Sequence, residues 1–341
     1  MLNAPLISVL LPVYNAAPYV GEAIESILGQ TYRHWELIVI NDGSTDGSDR
    51  IVKAIQDPRI RVIDQPNRGL SMSLNRAIGI ARGDYVARQD ADDIALPRRF
   101  ERQIDYLGRH PVVGMVGTWA EVRSDDSTVA KVYAPSVESH VLKFDLLFDN
   151  PFVHSSMMIR RQVLDRVGTY SEDSDMRAED YELWSRVGRE YEIANIPDTL
   201  QIYRDAPKSK LKKERSAILD NVIDISIANL AWTTNRDRSD STVNDLAALA
   251  HGAYHRVGGQ ATLHDLTELL FEAAGRLSQT EHDPAAGLQE KAHAQCQTLH
   301  YHYDLYRRYY KGGRLRRKVV QLSEMVKHAI SVRRSSVQKS H

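Results

Sequence analysis

The chain has 341 residues, 42% of them hydrophobic and 26% charged, the composition of a globular protein long enough for one large domain or two smaller ones. Its formal net charge of -1 gives no bias toward nucleic acid or another polyanion, and its single cysteine, Cys296, excludes an intramolecular disulfide framework and is compatible with a reducing compartment. Met1 to Val13 lacks the basic region and small-residue cleavage site of a secretory signal, and no apolar stretch approaches the ~20 residues that cross a bilayer, so any membrane contact is expected to be peripheral.

From Leu6 to Val13 the chain is almost continuously apolar, the pattern of a strand covered on both faces in a parallel sheet. Tyr14-Asn15-Ala16-Ala17-Pro18 breaks it. A helical pattern then runs to about Gln30, with Val20, Ala23, Ile24, Ile27 and Leu28 on one side and Pro18 suited to a first turn. A second strand, Glu36 to Ile40, leads into Asn41-Asp42-Gly43-Ser44-Thr45-Asp46-Gly47-Ser48, where glycines suit tight turns and Ser or Asp suits the cap of the next helix. The cycle repeats with strand Ile60 to Asp64, turn Gln65-Pro66-Asn67-Arg68-Gly69, helix Leu70 to Ala81 and strand Tyr85 to Gln89. This alternation predicts βαβ units and an α/β fold with a mostly parallel, doubly wound sheet. Ligands of such sheets sit outside the carboxyl ends of the strands. Tyr14-Asn15, Asp42, Asn67-Arg68 and Asp90-Ala91-Asp92 each follow a strand and are therefore expected to converge on one rim. Pro12-Val13-Tyr14-Asn15-Ala16 carries no glycine where a dinucleotide fold would need one, and no Walker loop is present.

The stretch Ala87-Arg88-Gln89-Asp90-Ala91-Asp92-Asp93 places three carboxylates within four residues. Like charges that close raise one another's pKa unless a cation or donor compensates. Magnesium and manganese are hard cations that take oxygen ligands, commonly one or two carboxylates together with substrate phosphates. The stretch points to a metal–diphosphate site at a strand end; taken alone, an acidic triplet also fits a solvated turn.

Pro12-Val-Tyr-Asn15, Asn41-Asp-Gly-Ser-Thr-Asp-Gly-Ser48, Pro66-Asn-Arg-Gly-Leu70, Asn75, Asp90-Ala-Asp-Asp93 and Leu96-Pro-Arg-Arg-Phe100 together resemble the nucleotide-sugar domain of family-two glycosyltransferases of the GT-A fold. The resemblance covers roughly residues 5 to 205 and continues through Asn150-Pro-Phe-Val-His-Ser-Ser156 and Ala178-Glu-Asp-Tyr-Glu-Leu-Trp184. It implies a Rossmann-like GT-A catalytic domain over residues 1–207. The implied activity is an inverting, non-processive transfer of a sugar from a UDP- or TDP-sugar to a hydroxyl of a glycan or lipid-linked acceptor. It further implies bacterial polysaccharide assembly at the cytoplasmic face, and a processive synthase is disfavoured by the lack of Gln-x-x-Arg-Trp. A sugar-1-phosphate nucleotidyltransferase is the competing enzyme, but it would want a Gly-rich signature where Tyr14-Asn15 stands; a non-catalytic nucleotide-sugar sensor is the competing binding protein.

The resemblance also assigns roles. Pro12, Tyr14, Asn15, Asp42, Asn67 and Asp90 line the nucleotide, with Asp42 accepting from the base and Asp90 beside the ribose. Asp92, the second acid of the D-x-D motif, holds Mn2+ or Mg2+ on the diphosphate, and Asp93 supports the loop from behind. Arg204, after strand Thr199 to Ile202, is a phosphate clamp. Asp180 is the general base; Glu179 is its rival, since both open a helix with Leu183, Trp184 and Val187 on its apolar side. His154, after a helix from Glu138 to Phe148 and at the start of strand Val153 to Arg160, either touches acceptor or phosphate or is packed structurally.

Beyond about Lys208, helical patterns follow at Leu211 to Trp232, Val243 to Val257, Leu263 to Leu277 and Ala285 to about Tyr310, predicting a helical domain over residues 208–311. His251, His255, His264, His293, His300 and His302 match no metal-site spacing and read as surface or capping residues. In the tail, residues 312–341, Leu315, Val319, Leu322, Val326 and Ile330 recur at helical spacing among Arg and Lys. Such a basic amphipathic helix suits either an anionic membrane surface or docking on its own domain or a second subunit, so a homo-oligomer stays open.

Overall fold

A computed structural model describes residues 4–124, 131–205, 215–278 and 286–311. The expected amphipathic tail lies outside the described residues. Two compact units divide the chain, Met1–Ile225 and Ser226–His341. The division falls later than residue 207 because Val222 and Ile225 still pack into the core of the first unit.

The first unit is built on one sheet. Its strands are β1 (Ile7–Val13), β2 (Trp35–Asp42), β3 (Ile60–Gln65), β4 (Tyr85–Arg88), β5 (Ile94–Ala95), β6 (Val113–Ser124), β7 (Lys131–Tyr133), β8 (Met158–Arg160) and β9 (Glu192–Asp205). They lie in the order β3-β2-β1-β4-β8-β6-β9-β5, with β7 on β6. The parallel arrangement read from the sequence holds for β3, β2, β1 and β4. Past β4 the sheet is mixed: β8 is antiparallel to both β4 and β6, β9 is parallel to β6, and β5 is antiparallel to β9. "Mostly parallel" therefore describes half of the sheet, since β8 and β5 are too short to carry a crossover pattern. The β6–β9 register shifts three times, first between Val113 and Met115 and then twice in succession, with Thr118 opposite Ile196, Trp119 opposite Thr199 and Ala120 opposite Gln201.

Both faces are covered, which is why β1 and β2 are apolar at nearly every position. Ile7, Val9, Leu11 and Val13 of β1 pack with α1 (Val20–Leu28), α2 (Ser48–Ala54) and α4 (Arg99–Arg109). Leu10 of β1 with Ile38 and Ile40 of β2 faces the other way, onto α3 (Leu70–Ile80), α5 (Ser139–Asp145), α6 (Arg161–Val167) and α7 (Glu179–Glu190). Each such side chain, fully buried, contributes roughly 1.5–3 kcal/mol of transfer free energy, so the alternation pins strand register and thereby the rim.

Two local expectations change. Residues 153–160 are not one strand: His154–Ser156 form a 3-10 turn, closed by the Ser156 N–H and hydroxyl on the Val153 carbonyl, and only Met158–Arg160 is extended. In the second unit the helix expected to reach Val257 stops at Ala250. Gly252, at φ 64°, lets the Ala253 N–H bond back to the Ala248 carbonyl, a C-terminal cap that ordinary side chains resist. The helices here are α8 (Arg215–Thr234), which enters from the first unit, α9 (Ser241–Ala250), α10 (Leu263–Leu277) and α11 (Ala286–Leu305). A capping box of Thr262 and Asp265 starts α10. No described helix is long and apolar enough to cross a membrane.

Candidate active site

Because β1, β2, β3 and β4 run parallel, their carboxyl ends share one edge. With strands ~4.8 Å apart, the end of β2 and the end of β4 are roughly 10 Å from each other across β1. The loops after β1 and β2 are knitted together. Asn15, held at φ 50°, accepts the Thr45 N–H at 2.9 Å on its side-chain oxygen and donates its own N–H to Ser44 at 3.1 Å. Ala16 and Ala17 donate to Ser48 and Asp46. Tyr14 is left exposed on the rim, and Pro12 sits one residue before the end of β1.

Asp42 closes β2 and is buried. Its Oδ1 accepts from the Gln65 amide at 2.6 Å and the Arg68 N–H at 2.8 Å, and its Oδ2 from the Gly69 N–H at 2.9 Å. Three of roughly four acceptor positions are thus taken by the loop after β3, leaving one on Oδ2. That loop lies so close that a Cβ on Gly43, at φ 74°, would stand 2.7 Å from the Asn67 nitrogen; only glycine fits there.

At the end of β4 the acidic stretch meets several buried partners. Arg88 donates to Asp90 Oδ1 at 2.5 Å. Asp93 is wholly buried, receiving the Ser155 hydroxyl on one oxygen and the Arg204 N–H, at 2.9 Å, on the other. Gln89 spans the turn, its amide nitrogen donating to the carbonyls of Asp90 and Asp93. Beneath them the buried Arg99 donates at 2.8 Å to both Gln89 and Gln201 and at 2.6 Å to the Arg88 carbonyl. Asp93 is thereby a supporting residue. Burial, then repulsion from Asp90, pushes both Asp92 and Asp93 above the ordinary carboxylate range.

Arg204 does not stand free as a clamp would. It donates to the Asp92 carbonyl at 2.7 Å, pairs with Glu22 on α1 and lies over the Tyr19 ring. Its guanidinium borders the acidic loop while bonded to protein.

Glu179 and Asp180 open α7. Asp180 accepts the Asn150 amide on Oδ2 at 2.8 Å and the Tyr181 N–H on Oδ1 at 2.7 Å. Burial, with Glu179 and Asp90 adding repulsion, pushes Asp180 up to about 7. Glu179 is also raised, by burial first and then Asp90, against attraction from Arg88 and Arg177. The influence of Asp90 on Glu179, Asp180, Asp92 and Asp93 alike places the acidic loop and the start of α7 in one field. Chemically, this is a part-buried cluster of five carboxylates, Asp90, Asp92, Asp93, Glu179 and Asp180, among arginines that are themselves bonded to protein. Among the described residues no three His, Cys, Asp or Glu side chains form a self-sufficient metal cage. The unmet negative charge on Asp92 nevertheless fits a divalent ion completed by substrate oxygens.

His154 is packed against the rings of Tyr170 and Trp184, one of the two places left open by the sequence alone, and is hydrogen-bonded there. Its Nε2 meets the Tyr170 hydroxyl at 2.9 Å and Arg88 Nε at 3.3 Å, and burial, reinforced by Arg88, lowers its pKa well below the usual value. Tyr170 and the bridging role of Arg88 escaped the sequence. Tyr170 stands alone in an irregular segment, and an arginine ending a buried strand leaves no periodic trace; its place immediately before three acids was the one available signal.

The model of the family "Glycosyl transferase family 2" matches residues 8–168. EpsE of Bacillus subtilis (strain 168), named as a glycosyltransferase, is 34% identical over 229 residues, 65% of this chain and 81% of EpsE. In fold, the chain is similar to S. aureus TarS 1-349, solved in complex with UDP-GlcNAc, at TM-score 0.59 and 16% identity over 91% of this chain and 93% of that one. It is also similar to the mannosyltransferase PcManGT from Pyrobaculum calidifontis, solved with GDP-Man and Mn2+, at TM-score 0.51 and 20% identity over 89% and 88%. The sheet is that of GT-A glycosyltransferases, and the chain belongs to glycosyl transferase family 2, as an enzyme that uses a nucleotide-sugar donor.

Proposed function

We propose that this enzyme is an inverting, non-processive transferase that takes its sugar from a UDP- or TDP-sugar and adds it to a hydroxyl of a glycan or lipid-linked acceptor in polysaccharide assembly. The observation that carries the reading is the single electrostatic field joining Asp90, Asp92, Glu179 and Asp180 on the rim that also ends in Asp42.

The donor half follows from the rim. Asp42 retains one acceptor position, which suits the imide N–H of uracil or thymine. Guanine would present two adjacent donors to a carboxylate and would need both oxygens, and Oδ1 is already occupied twice. The exposed Tyr14 offers a ring face beside the base, Asn15 and Asn67 border it, and Asp90 receives the ribose. Asp92, with Asp90 beside it, would hold Mn2+ or Mg2+, whose charge offsets that developing on the departing diphosphate.

The acceptor half rests on Asp180. An acceptor hydroxyl attacks the anomeric carbon from the face opposite the diphosphate. As the new carbon–oxygen bond forms, the bond to the phosphate oxygen breaks and the hydroxyl proton passes to Asp180. One displacement inverts the configuration. A raised pKa strengthens Asp180 as a base near neutral pH, and Asn150 holds the carboxylate in place by its Oδ2.

The test is donor binding by thermal shift and nucleotide-sugar hydrolysis, with UDP-, TDP- and GDP-sugars, each in manganese and in EDTA. Uridine or thymidine donors are expected to bind in manganese, guanosine donors to bind weakly, and Asp92→Asn to abolish the difference between manganese and EDTA. Equal UDP binding in EDTA would overturn the metal assignment.

A further inference from the structure

A chain of hydrogen bonds behind the rim ends on Asp90, and its other members have no part in the reaction above. Asn75 of α3 grips the Tyr170 backbone from both sides, its amide nitrogen donating to the Tyr170 carbonyl at 2.9 Å and its oxygen accepting the Tyr170 N–H at 3.0 Å. The Tyr170 hydroxyl meets His154 Nε2 at 2.9 Å, Arg88 Nε meets the same nitrogen at 3.3 Å, and Arg88 Nη2 reaches Asp90 Oδ1 at 2.5 Å. Tyr170 and Arg88 are almost wholly buried, and Trp184, one turn after Asp180, packs edge-on to both His154 and Tyr170 at 5.7 and 6.3 Å between ring centres. Two separate pieces of the fold, the Tyr170 segment and the end of β4, thus meet at one imidazole nitrogen.

The protonation states follow from the donors. A guanidinium N–H can only donate, so Nε2 must present its lone pair and the ring is neutral with its proton on Nδ1. Burial keeps the Tyr170 phenol protonated, and with Nε2 unprotonated its hydroxyl is the donor, so Arg88 and Tyr170 share that nitrogen's one lone pair. A guanidinium is planar and rigid. Held by His154 at Nε and by the Gln89 carbonyl at Nη1, the guanidinium has its Nη2 direction set, and with it the carboxylate of Asp90, whose Oδ2 has no hydrogen bond among the described residues.

We propose that His154 and Tyr170 are positioning residues for the nucleotide donor: acting through Arg88, they set the direction in which Asp90 presents its second oxygen. The inference rests on the reading of Asp90 as a donor contact. Neither residue touches substrate. Their effect is on donor binding, while proton transfer at Asp180 proceeds as before.

The experiment compares His154→Gln with His154→Leu, reading UDP affinity in manganese and the donor KM against kcat. A glutamine amide oxygen can accept from Arg88 and Tyr170 in place of Nε2; leucine fills the space against Trp184 but leaves two buried donors unpaired. An unpaired buried donor is costly, so His154→Leu is expected to weaken UDP binding and raise the donor KM about tenfold at nearly unchanged kcat. His154→Gln is expected to stay within about threefold of wild type, because the acceptor is restored. A packing role alone predicts the reverse order, and that order would overturn the proposal. Tyr170→Phe, which removes one hydroxyl, should move the KM the same way by about threefold and serves where the leucine variant fails to fold; an unchanged KM there also overturns the proposal. In an Asp90→Ala background His154→Leu should add almost nothing, since the two act in series. Wild-type protein that binds no UDP would instead overturn the reading of the site, whereas wild-type binding with all His154 variants equal would overturn only this inference.

Discussion

The two ends of the parallel half-sheet treat a buried carboxylate in opposite ways. At the amino end, Glu36 is almost wholly buried, yet it accepts the Ser8 hydroxyl at 2.7 Å and the Arg82 N–H at 2.8 Å on Oε1, with the Arg82 guanidinium on Oε2. Burial alone would raise its pKa; the hydrogen bonds and the charge of Arg82 bring it below the ordinary range. At the carboxyl end, burial raises Asp92, Asp93, Glu179 and Asp180, and the available donors do not bring them back. The lesson is that burial of an acid does not mark a site. A shortfall of donors distinguishes the proposed metal and base positions, Asp92 and Asp180, because it leaves charge for a ligand to satisfy, whereas Asp42 meets its ligand through the one acceptor position its donors leave.

The sharpest way to break this contrast is Asp180→Asn. Loss of a general base is expected to lower kcat by about 10²–10⁴-fold with donor affinity retained, measured as sugar transfer beside UDP binding. Full turnover in this variant would make the carboxyl rim as passive as the amino one. A companion measurement separates Asp180 from Glu179. The acid limb of kcat/KM should lie near 7 and move to lower pH in Glu179→Gln, because removing a neighbouring negative charge eases ionisation of Asp180.

Stability against pH should differ in sign between the two ends. The carboxyl-end acids have raised pKa values in the folded state, so their contribution is present below about pH 4, their unfolded range, and is lost as pH rises toward about 7, where Asp180 ionises. Glu36, lowered in the folded state, contributes above its unfolded pKa and loses that contribution as pH falls. The ligand-free Tm should therefore pass through a maximum at mildly acidic pH and fall toward pH 8, and manganese with UDP should remove the fall. A Tm that climbs steadily to pH 8 without ligand would contradict the donor shortfall.

The smallest effect on turnover is expected from Glu36→Gln. It replaces charge-assisted hydrogen bonds with neutral ones, at about 1–3 kcal/mol, roughly 3–10 °C in Tm, while kcat stays within about twofold. Activity lost in proportion to nothing but stability keeps the distinction; a specific loss of donor affinity would erase it.

Much of the rim proposed to take the donor was legible as an edge of the sheet because its signals are local. An apolar run gives a doubly covered strand, the residues after it give the turn, and parallel order brings Tyr14, Asp42, Asn67 and Asp90 to one edge. The start of α7 was legible for the same reason, with two acids before an apolar helical pattern. What did not show were contacts between distant short pieces. β8 has three residues and β5 two, so neither carries a readable pattern, and their antiparallel pairing is fixed by the long β6 and β9 beside them. Arg204 was read as facing phosphate, but its partner Glu22 belongs to the first helix of the chain. His154 could be assigned only once Tyr170 and Arg88 were seen to meet it.

The uneven pairing of β9 with β6 limits how this enzyme can change in length. Between Ile196 and Gln201, β9 passes three residues, Pro197, Asp198 and Leu200, that have no counterpart opposite. Removing one of them is expected to straighten the ladder and leave Gln201 to Asp205 opposite Ala120 to Ser124, with Gln201 still on Arg99. A one-residue deletion after Gln201, inside the regular run, would instead turn the rest of the strand over and carry the Arg204 side chain to the opposite face. Changes in length are therefore tolerated at the irregular stretch and excluded beyond it.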